Sequence, residues 1–456
     1  EQAKAKNAKL EQARDRLRQQ TKRLEAEIEE LKNKLAACMA WKDKLVGMLF
    51  KKNAKVPSDQ ASVEKKTRGA QTGHIGHGKK NPLQIDEEKY VYLTHCPTCE
   101  HTLNESDAVY TRTVQDIPVQ TAITTRYTIQ RQWRTHCQKE VSAIPENTIP
   151  FVHIGLRALV LICLLRYRLR VPLAKIAEIL LNHHGIRLTE GGIQSILHTL
   201  SRKFTHEYER ILKEIRAAPL KHADETSWRI LGTNGWHWLF ATPKAALHTI
   251  EASRGKGVPD RILGPNPEGV LIRDDYASYE HLKTMEHQSC WAHLLRLCHE
   301  AVKQPTVSAE MRTLEEELTD MFVNLKRTLS SSFRMKRRQK AHTQYAKQLR
   351  EIEARSYTHK DAKQIQTRMK HQGNNLITAL LHENVPLTNN HAERQIRPMA
   401  VIRKISGGSR STLGGVIQGV NMTIMQTIAL RGQDYLTELQ KLLTLPEQSM
   451  SLERGE

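Results

Sequence analysis

Three acidic residues stand where their carboxylates can be brought to one point. Asp224 closes a strand-like stretch, L-K-H-A-D, and Asp274 closes another, G-V-L-I-R-D. Glu393 lies in N-N-H-A-E-R, where a helix is expected to begin after T-N-N. Carboxylates that converge repel one another and raise each other's pKa unless a cation sits between them. Hard oxygen donors with open coordination positions select Mg2+ or Mn2+. Two such ions a few ångströms apart activate a water or a 3′-hydroxyl and stabilise the leaving oxygen of an in-line displacement at phosphorus. Taken singly, each acid is better read as a strand cap or a turn residue.

A second group is soft. Cys96 and Cys99 in C-P-T-C form a knuckle that points two thiolates at one Zn2+. A closed site needs two more donors. Cys137 offers one, but Arg134 stands where the partner of a second C-x-x-C belongs, so His136, His101 or His95 has to complete the set. The other reading is a zinc-ribbon-like fold that has lost its metal.

The elements that must position these groups fall into an α+β chain of several modules. Residues 1–50 lack Gly and Pro, and Leu10, Leu17, Leu24 and Leu31 recur every seven residues. That is a leucine-zipper-like coiled coil that pairs two protomers, or a helix that packs on its own body. Residues 51–92 read as a basic flexible linker. Residues 93–150 read as a β-rich, zinc-ribbon-like module, with alternation from Tyr110 to Gln132. Residues 151–219 are helical and contain a helix-turn-helix-like pair, with Gly185 in the break and Thr189 as N-cap. From Leu220 the texture turns to three strands in meander, a helix and a fourth strand, the first part of an α/β core over 220–305. A charged helical insertion occupies 306–384. The core resumes over 385–443 with Glu393 and a last helix, and 444–456 is a tail.

The strings H-A-D-E-T-S-W, D-D-Y-A-S-Y, C-W-A-H-L-L-R and T-N-N-H-A-E-R-Q-I-R-P-M-A-V-I-R-K-I-S-G-G-S-R-S, in that order, resemble the insertion sequence 66 family of transposases. The resemblance implies an RNase H-like catalytic core with Asp224, Asp274 and Glu393 as the acidic triad holding two Mg2+ or Mn2+ ions. It implies cleavage and strand transfer at terminal inverted repeats, with double-stranded DNA as partner, accessory proteins from the same element, and a homodimer or higher assembly on DNA. One departure is the missing fourth cysteine. A second is Asp275, where the family has glycine, so that Asp274 is chosen as ligand by its distance to Tyr276. Cys290 and His293 in C-W-A-H match a family motif and are expected to support the metal site or orient substrate. The alternative is a buried cysteine beside a packing Trp291. Arg394, Arg397, Arg403, Lys404 and Arg410 flank G-G-S-R-S and are expected to contact phosphates, with a solvated basic face as the alternative.

Composition agrees with a polyanionic partner. The 456 residues carry a formal net charge of +21, with 39% hydrophobic and 5% aromatic residues. Lys and Arg that neutralise phosphates release condensed counterions. Seven scattered cysteines give no disulfide framework and point to a reducing cytoplasm, and the resemblance implies a bacterial protein at the nucleoid. The sequence shows no secretory signal and no unbroken apolar run of spanning length, and it begins without an initiator Met, which points to a processed or missing start. Two rival functions remain: a DNA-binding regulator with a degenerate core, and an RNase H-fold nuclease that hydrolyses without joining strands.

Overall fold

The computed structural model describes residues 84–92, 94–103, 110–117, 121–136, 138–146, 148–150, 152–304, 307–331 and 334–444. The leucine heptads, most of the linker, Cys137 and residues 445–456 lie outside the described residues. The chain divides into two compact units, Glu1–Gln115 and Asp116–Glu456.

In the first unit, residues 94–103 form a tight turn around the C-P-T-C string. Cys96 N–H donates to the His101 carbonyl at 2.9 Å, Glu100 N–H donates to the Cys96 carbonyl at 2.9 Å, and Leu103 N–H donates to the Thr94 carbonyl at 3.0 Å. Backbone N–H groups of Thr98 and Cys99 point at the Cys96 sulfur and hold its thiol below the ordinary range.

The second unit opens with a short antiparallel pair, β1 (Arg131–Arg134) and β2 (Lys139–Ser142). The alternation that predicts a strand from Tyr110 does not make one: residues 110–117 and 121–130 carry no strand, and Tyr110, Ile117 and Ile123 are exposed. A period-two pattern becomes a strand only where one face has a core to pack against.

The helical region begins with α1 (Leu156–Cys163), which runs into a π-helical turn over Leu164–Arg168. Next come α2 (Leu173–His184), α3 (Glu190–Lys203) and α4 (Thr205–Ala217). Gly185 ends α2 in the left-handed region at φ 69°, and the Thr189 hydroxyl accepts the Gly192 N–H at 3.1 Å to start α3. Ile193, Ile196, Leu197 and Leu200 give α3 its buried stripe.

The core sheet comprises β3 (Leu220–Ile230), β4 (Thr233–Ala241) and β5 (Ala246–Glu251), then α5 (Gly257–Leu263), β6 (Val270–Arg273) and β7 (Glu286–Ser289). The order is β5-β4-β3-β6-β7. The first three strands are mutually antiparallel, and β6 and β7 run parallel to β3. After β7 come α6 (Trp291–Val302), α7 (Ala309–Ser330), α8 (Met335–Ala354), α9 (Lys360–Gln372), α10 (Asn390–Ser406), α11 (Thr412–Leu430) and α12 (Tyr435–Thr444). The chain is therefore a mixed α+β protein, as the sequence predicts.

Strand alternation sorts the two faces. Leu271, Ala223 and Phe240 enter the larger core with α1 to α4. Val270 and Ile272 face the other way, into a second core built with α6 and the insertion helices α7 to α9. Leu239, Ala241 and Ala246 pack with Ala392 and Ile396 of α10.

The free edge of β5 is covered by α11. Ala246 N–H donates to the Thr427 hydroxyl at 3.2 Å and His248 N–H to the Thr423 hydroxyl at 2.8 Å. Threonines one helical turn apart thus satisfy backbone donors that would otherwise template another strand. Helix α11 is also the one helix among the described residues long and apolar enough to cross a membrane, which reading unbroken apolar runs overlooks. About 67% of its most apolar window is buried against its neighbours, the place of a core helix.

Two sequence expectations change here. Asp224 does not end its strand but sits within β3. Parallel pairing of β3 with β6 stops at His222↔Ile272, while antiparallel pairing with β4 continues to Ile230↔Thr233. Asp224 therefore marks the point where β3 leaves the parallel part of the sheet. The fifth strand, β7, was not foreseen, because E-H-Q-S has neither apolar alternation nor β-branched residues.

Candidate active site

Strand geometry sets Asp224 first. It pairs with Leu239, whose side chain lies on the face covered by α10, and so does its i−2 neighbour His222. Glu225 points to the opposite face, where its buried carboxylate accepts the Tyr279 hydroxyl at 2.7 Å and the Arg254 guanidinium at 2.8 Å. Arg254 in turn lies over the rings of Trp236 and Tyr276, 4.4 Å and 3.7 Å from their centroids. One acid of the Asp224-Glu225 pair is neutralised by a stacked arginine. The other has no basic partner among its neighbours.

Asp274 follows β6 directly, and its carboxylate accepts the Tyr276 N–H at 3.0 Å, an Asx-turn that fixes the chain after the strand. Asp275 turns elsewhere, with its oxygens 3.7 Å from Arg368 and 3.9 Å from His371 of α9.

Glu393 comes in on the first turn of α10, and one side chain anchors that helix to β3. Asn389 is fully buried. Its amide donates to the Ala223 carbonyl at 2.7 Å, and its carbonyl oxygen lies 2.9 Å from His222 Nδ1. Glu393 N–H donates to the Asn389 carbonyl at 3.1 Å. The residue before Asp224 and the residue one turn before Glu393 are thus joined directly. Sequence reasoning missed Asn389 as a working residue, although it stands inside the T-N-N string. A buried polar side chain is not distinguishable from a capping one by type alone.

The C-W-A-H string closes the arrangement, with each named side chain doing a different job. Cys290 N–H donates to the Arg273 carbonyl at 3.0 Å, and Cys290 Sγ accepts the Asn389 N–H at 3.2 Å. Trp291 is fully buried in the insertion core, with its indole N–H on the Leu376 carbonyl at 2.6 Å. His293 Nδ1 lies 3.9 Å from Glu393 Oε1.

Electrostatics ties the acids together. The Asp224 carboxyl is pushed up to about 8, first by burial and then by the negative charges of Glu225, Asp274 and Glu393. The three carboxylates nevertheless stand apart and form no tight cluster. Among the described residues, the set of three donors within 4.8 Å of one another is Cys290, His293 and Glu393. Asp224 Oδ1 is turned to the Glu225 N–H and Asp274 Oδ1 to the Tyr276 N–H. A hard divalent cation fits this donor set on two observations. Burial and then the nearby negative charges push the Asp224 carboxyl up, and Glu393 Oε1 is buried without a hydrogen-bond partner among the described residues.

The basic residues divide. Arg394, Arg397, Lys404 and Arg410 are exposed. Arg403 is turned inward to β3, where it donates to the Thr226 hydroxyl at 3.2 Å, to the Ser227 hydroxyl at 2.6 Å and to the Ser227 carbonyl. The G-G-S-R-S loop makes its close backbone approach to its own chain: Gly408, at φ 117°, would place a Cβ 2.4 Å from the Arg229 carbonyl oxygen. Ser409 N–H donates to that same carbonyl at 2.8 Å, and the Ser409 hydroxyl accepts the Trp228 indole N–H at 3.0 Å.

No curated protein matches the chain. Residues 152–417, from α1 through the start of α11, match the profile described as Transposase IS66 family. That span is more than half of the 456 residues and contains Asp224, Asp274, the C-W-A-H string and Glu393, so the chain belongs to the IS66 family of transposases.

Proposed function

We propose that this transposase binds the terminal inverted repeats of its element and carries out DNA strand cleavage and strand transfer at Asp224, Asp274 and Glu393. The observation that carries the reading is the link through Cys290 and Asn389, which ties the residue before Asp274 and the residue before Asp224 to the first turn of the helix that carries Glu393. The core works as an RNase H-like fold, supported by the five-strand mixed sheet in the order β5-β4-β3-β6-β7. Two hard divalent cations, Mg2+ or Mn2+, bound by Asp224, Asp274 and Glu393 would polarise the scissile phosphate and activate the attacking hydroxyl. Asp274 is the second ligand rather than Asp275, because its charge acts on Asp224 while Asp275 faces Arg368 and His371.

The chain's own residues supply position and charge. Asn389 fixes α10 against β3, so that Glu393 approaches the strand that carries Asp224. Arg254, stacked on Trp236 and Tyr276, neutralises Glu225 on the opposite face of β3 and so leaves Asp224 as the acid of that pair open to a cation. Arg394, Arg397, Lys404 and Arg410 offer exposed charge to the DNA backbone. Cys96 and Cys99 as zinc ligands, the Gly185 helix pair as DNA reader, and pairing through the leucine heptads belong to the same proposal.

The test is incubation of the protein with inverted-repeat DNA and Mg2+, with the element's accessory proteins present. Nicked and joined products are expected from the wild type, and none from Asp224→Asn, Asp274→Asn or Glu393→Gln, each of which retains DNA binding. Specific binding with neither nicking nor joining identifies a DNA-binding regulator and refutes the proposal. Hydrolysis without joined strands identifies a plain nuclease.

A further inference from the structure

Cys290, His293 and Glu393 form a cluster of their own beside the acidic residues. One donor atom from each lies within 4.8 Å of the other two. Cys290 is 1% exposed and locked in place by backbone contacts to Arg273 and Asn389. His293 and Glu393 keep 31% and 35% of their side-chain surface, so each has freedom to swing. Neither His293 Nδ1 nor Glu393 Oε1, both buried atoms, has a hydrogen-bond partner among the described residues. A buried imidazole nitrogen facing a carboxylate oxygen and a thiol is a set of donors that can close on one ion, and buried polar atoms are nearly always paired.

The chemistry of this set differs from that of the acidic triad. A thiol and an imidazole are poor ligands for Mg2+ and good ones for Zn2+, Co2+ or Cd2+. A tetrahedral ion with Zn–S of about 2.3 Å and Zn–N and Zn–O of about 2.0 Å needs its ligand atoms roughly 3.5 Å apart. Closing the cluster therefore takes a movement of about 1 Å, within the reach of the two partly exposed side chains. Three protein ligands leave the fourth position open to water or a phosphate oxygen. Glu393 is shared: drawing its carboxylate to a soft ion held by Cys290 and His293 draws it away from a hard ion held by Asp224.

We propose that Cys290, His293 and Glu393 constitute a second divalent-cation site, selective for thiophilic ions, whose occupancy withdraws Glu393 from the acidic triad and shuts off strand cleavage. Binding displaces the Cys290 thiol proton to solvent and forms three protein–metal bonds, with no oxidation or reduction. The inhibitory consequence rests on the reading of Glu393 as a catalytic carboxylate, whereas the binding site itself does not.

The two parts are tested separately. Full-length protein carrying Cys96→Ser, Cys99→Ser and Cys137→Ser, which removes the thiols of the C-P-T-C turn and Cys137, is titrated with Co2+ alone and followed by the thiolate-to-cobalt charge-transfer band. One equivalent of band is expected, abolished by Cys290→Ser, with affinity at least about tenfold weaker in His293→Ala and unchanged in Asp224→Asn. No band, or a band that survives Cys290→Ser, overturns the site. Should the three serine changes prevent folding, the comparison is made between wild type and Cys290→Ser alone, where one fewer thiolate–cobalt equivalent is expected and an equal number overturns the site. For the consequence, Zn2+ added to the Mg2+-supported cleavage reaction should suppress nicking in proportion to occupancy of this site. Full cleavage at saturating Zn2+ overturns the competition, and a chain that never cleaves DNA leaves the cobalt result to decide the site by itself.

Discussion

Asp224→Asn should cost the protein its chemistry and make the metal-free fold more stable. In the folded protein the Asp224 carboxyl titrates at about 8 against an ordinary 3.8, chiefly through burial and then through the charges of Glu225, Asp274 and Glu393. Each pH unit between the folded and unfolded values corresponds to about 1.4 kcal/mol, so complete exclusion of water would set the cost of the ionised form near ~6 kcal/mol. Asp224 is only partly shut off from water, which brings the expected effect to about 2–4 kcal/mol. The sign follows from which state binds the proton more tightly. The folded protein holds it up to about pH 8 and the unfolded chain loses it near pH 4, so this group's contribution to wild-type stability is highest below pH 4 and falls as pH rises towards 8. Asparagine has no charge to lose and can still accept the Glu225 N–H that now reaches Asp224 Oδ1 at 2.9 Å. The assay is urea unfolding in a chelator at pH 8 and again at pH 5, reading midpoint and slope. Asp224→Asn should be more stable at pH 8 by roughly 2–4 kcal/mol, with the gain shrinking at pH 5, and should lose the stabilisation that Mg2+ confers on the wild type. A variant no more stable than wild type at pH 8, or equally stabilised by Mg2+, refutes the electrostatic reasoning and with it the metal site.

Three further outcomes follow from particular contacts. Asp274→Asn should lower cleavage by at least about a thousandfold, the scale of a lost metal ligand. Asp275→Asn, whose partners Arg368 and His371 lie at 3.7–3.9 Å and partly in solvent, should keep near-wild-type activity and stability within about 1 kcal/mol; the reverse ranking in a single-turnover assay would transfer the ligand role to Asp275. Asn389→Ala leaves the Ala223 carbonyl and His222 Nδ1 without their partner, so chemical unfolding should show a loss of about 2–4 kcal/mol. Its residual folded fraction should cleave roughly tenfold to a hundredfold more slowly, because Glu393 is no longer held at its distance from β3. Gly408→Ala puts a Cβ 2.4 Å from the Arg229 carbonyl at φ 117°, and thermal unfolding should register about 2–4 kcal/mol of destabilisation.

The sequence was most legible where one residue type has one use. Gly185 and Thr189 bracket a helix pair because few other residues take a left-handed stop or cap an N-terminus. The meander β3 to β5 shows itself through apolar strands separated by turns. Legibility failed where tertiary context decides. The run from Tyr110 alternates like a strand yet lies exposed, and E-H-Q-S makes β7 with no strand signature because β6 supplies hydrogen bonds and the insertion core covers its face. Arg403 and Gly408 of G-G-S-R-S carry the composition of a phosphate-binding loop, and the structure turns both towards β3. Charge type says which partners are allowed but not which one is nearest. Asp224 and Glu225 are adjacent acids of similar chemistry, and only the two faces of β3 separate them, one acid paired with arginine and the other left for a cation.

The helical insertion raises a geometrical problem, since all of α6 to α9 intervene between Asp274 and Glu393. The entropy of closing so long a loop grows only slowly with its length, and what matters is that its two ends meet. They meet at Cys290. Its N–H is bound to Arg273, the residue before Asp274, and its sulfur accepts the N–H of Asn389 at 3.2 Å. Next to it, Trp291 N–H donates to the Leu387 carbonyl at 3.0 Å, and Asn389 passes the connection on to Ala223, the residue before Asp224. Backbone positions adjacent to two of the acids, and one turn from the third, are therefore linked through Cys290 and Asn389, two buried residues, in a path that bypasses α7 to α9. Cavity-forming changes in the insertion core, such as Leu318→Ala, should consequently lower stability by about 2–5 kcal/mol while leaving the folded fraction's cleavage rate close to wild type. Cys290→Val, which keeps the volume but leaves the buried Asn389 N–H without its acceptor, should slow the folded fraction's cleavage as well as cost about 1–3 kcal/mol of stability. Measured side by side as unfolding free energy and single-turnover rate, an equal effect of both changes on rate would mean that the insertion itself, and not the link at its base, positions Glu393.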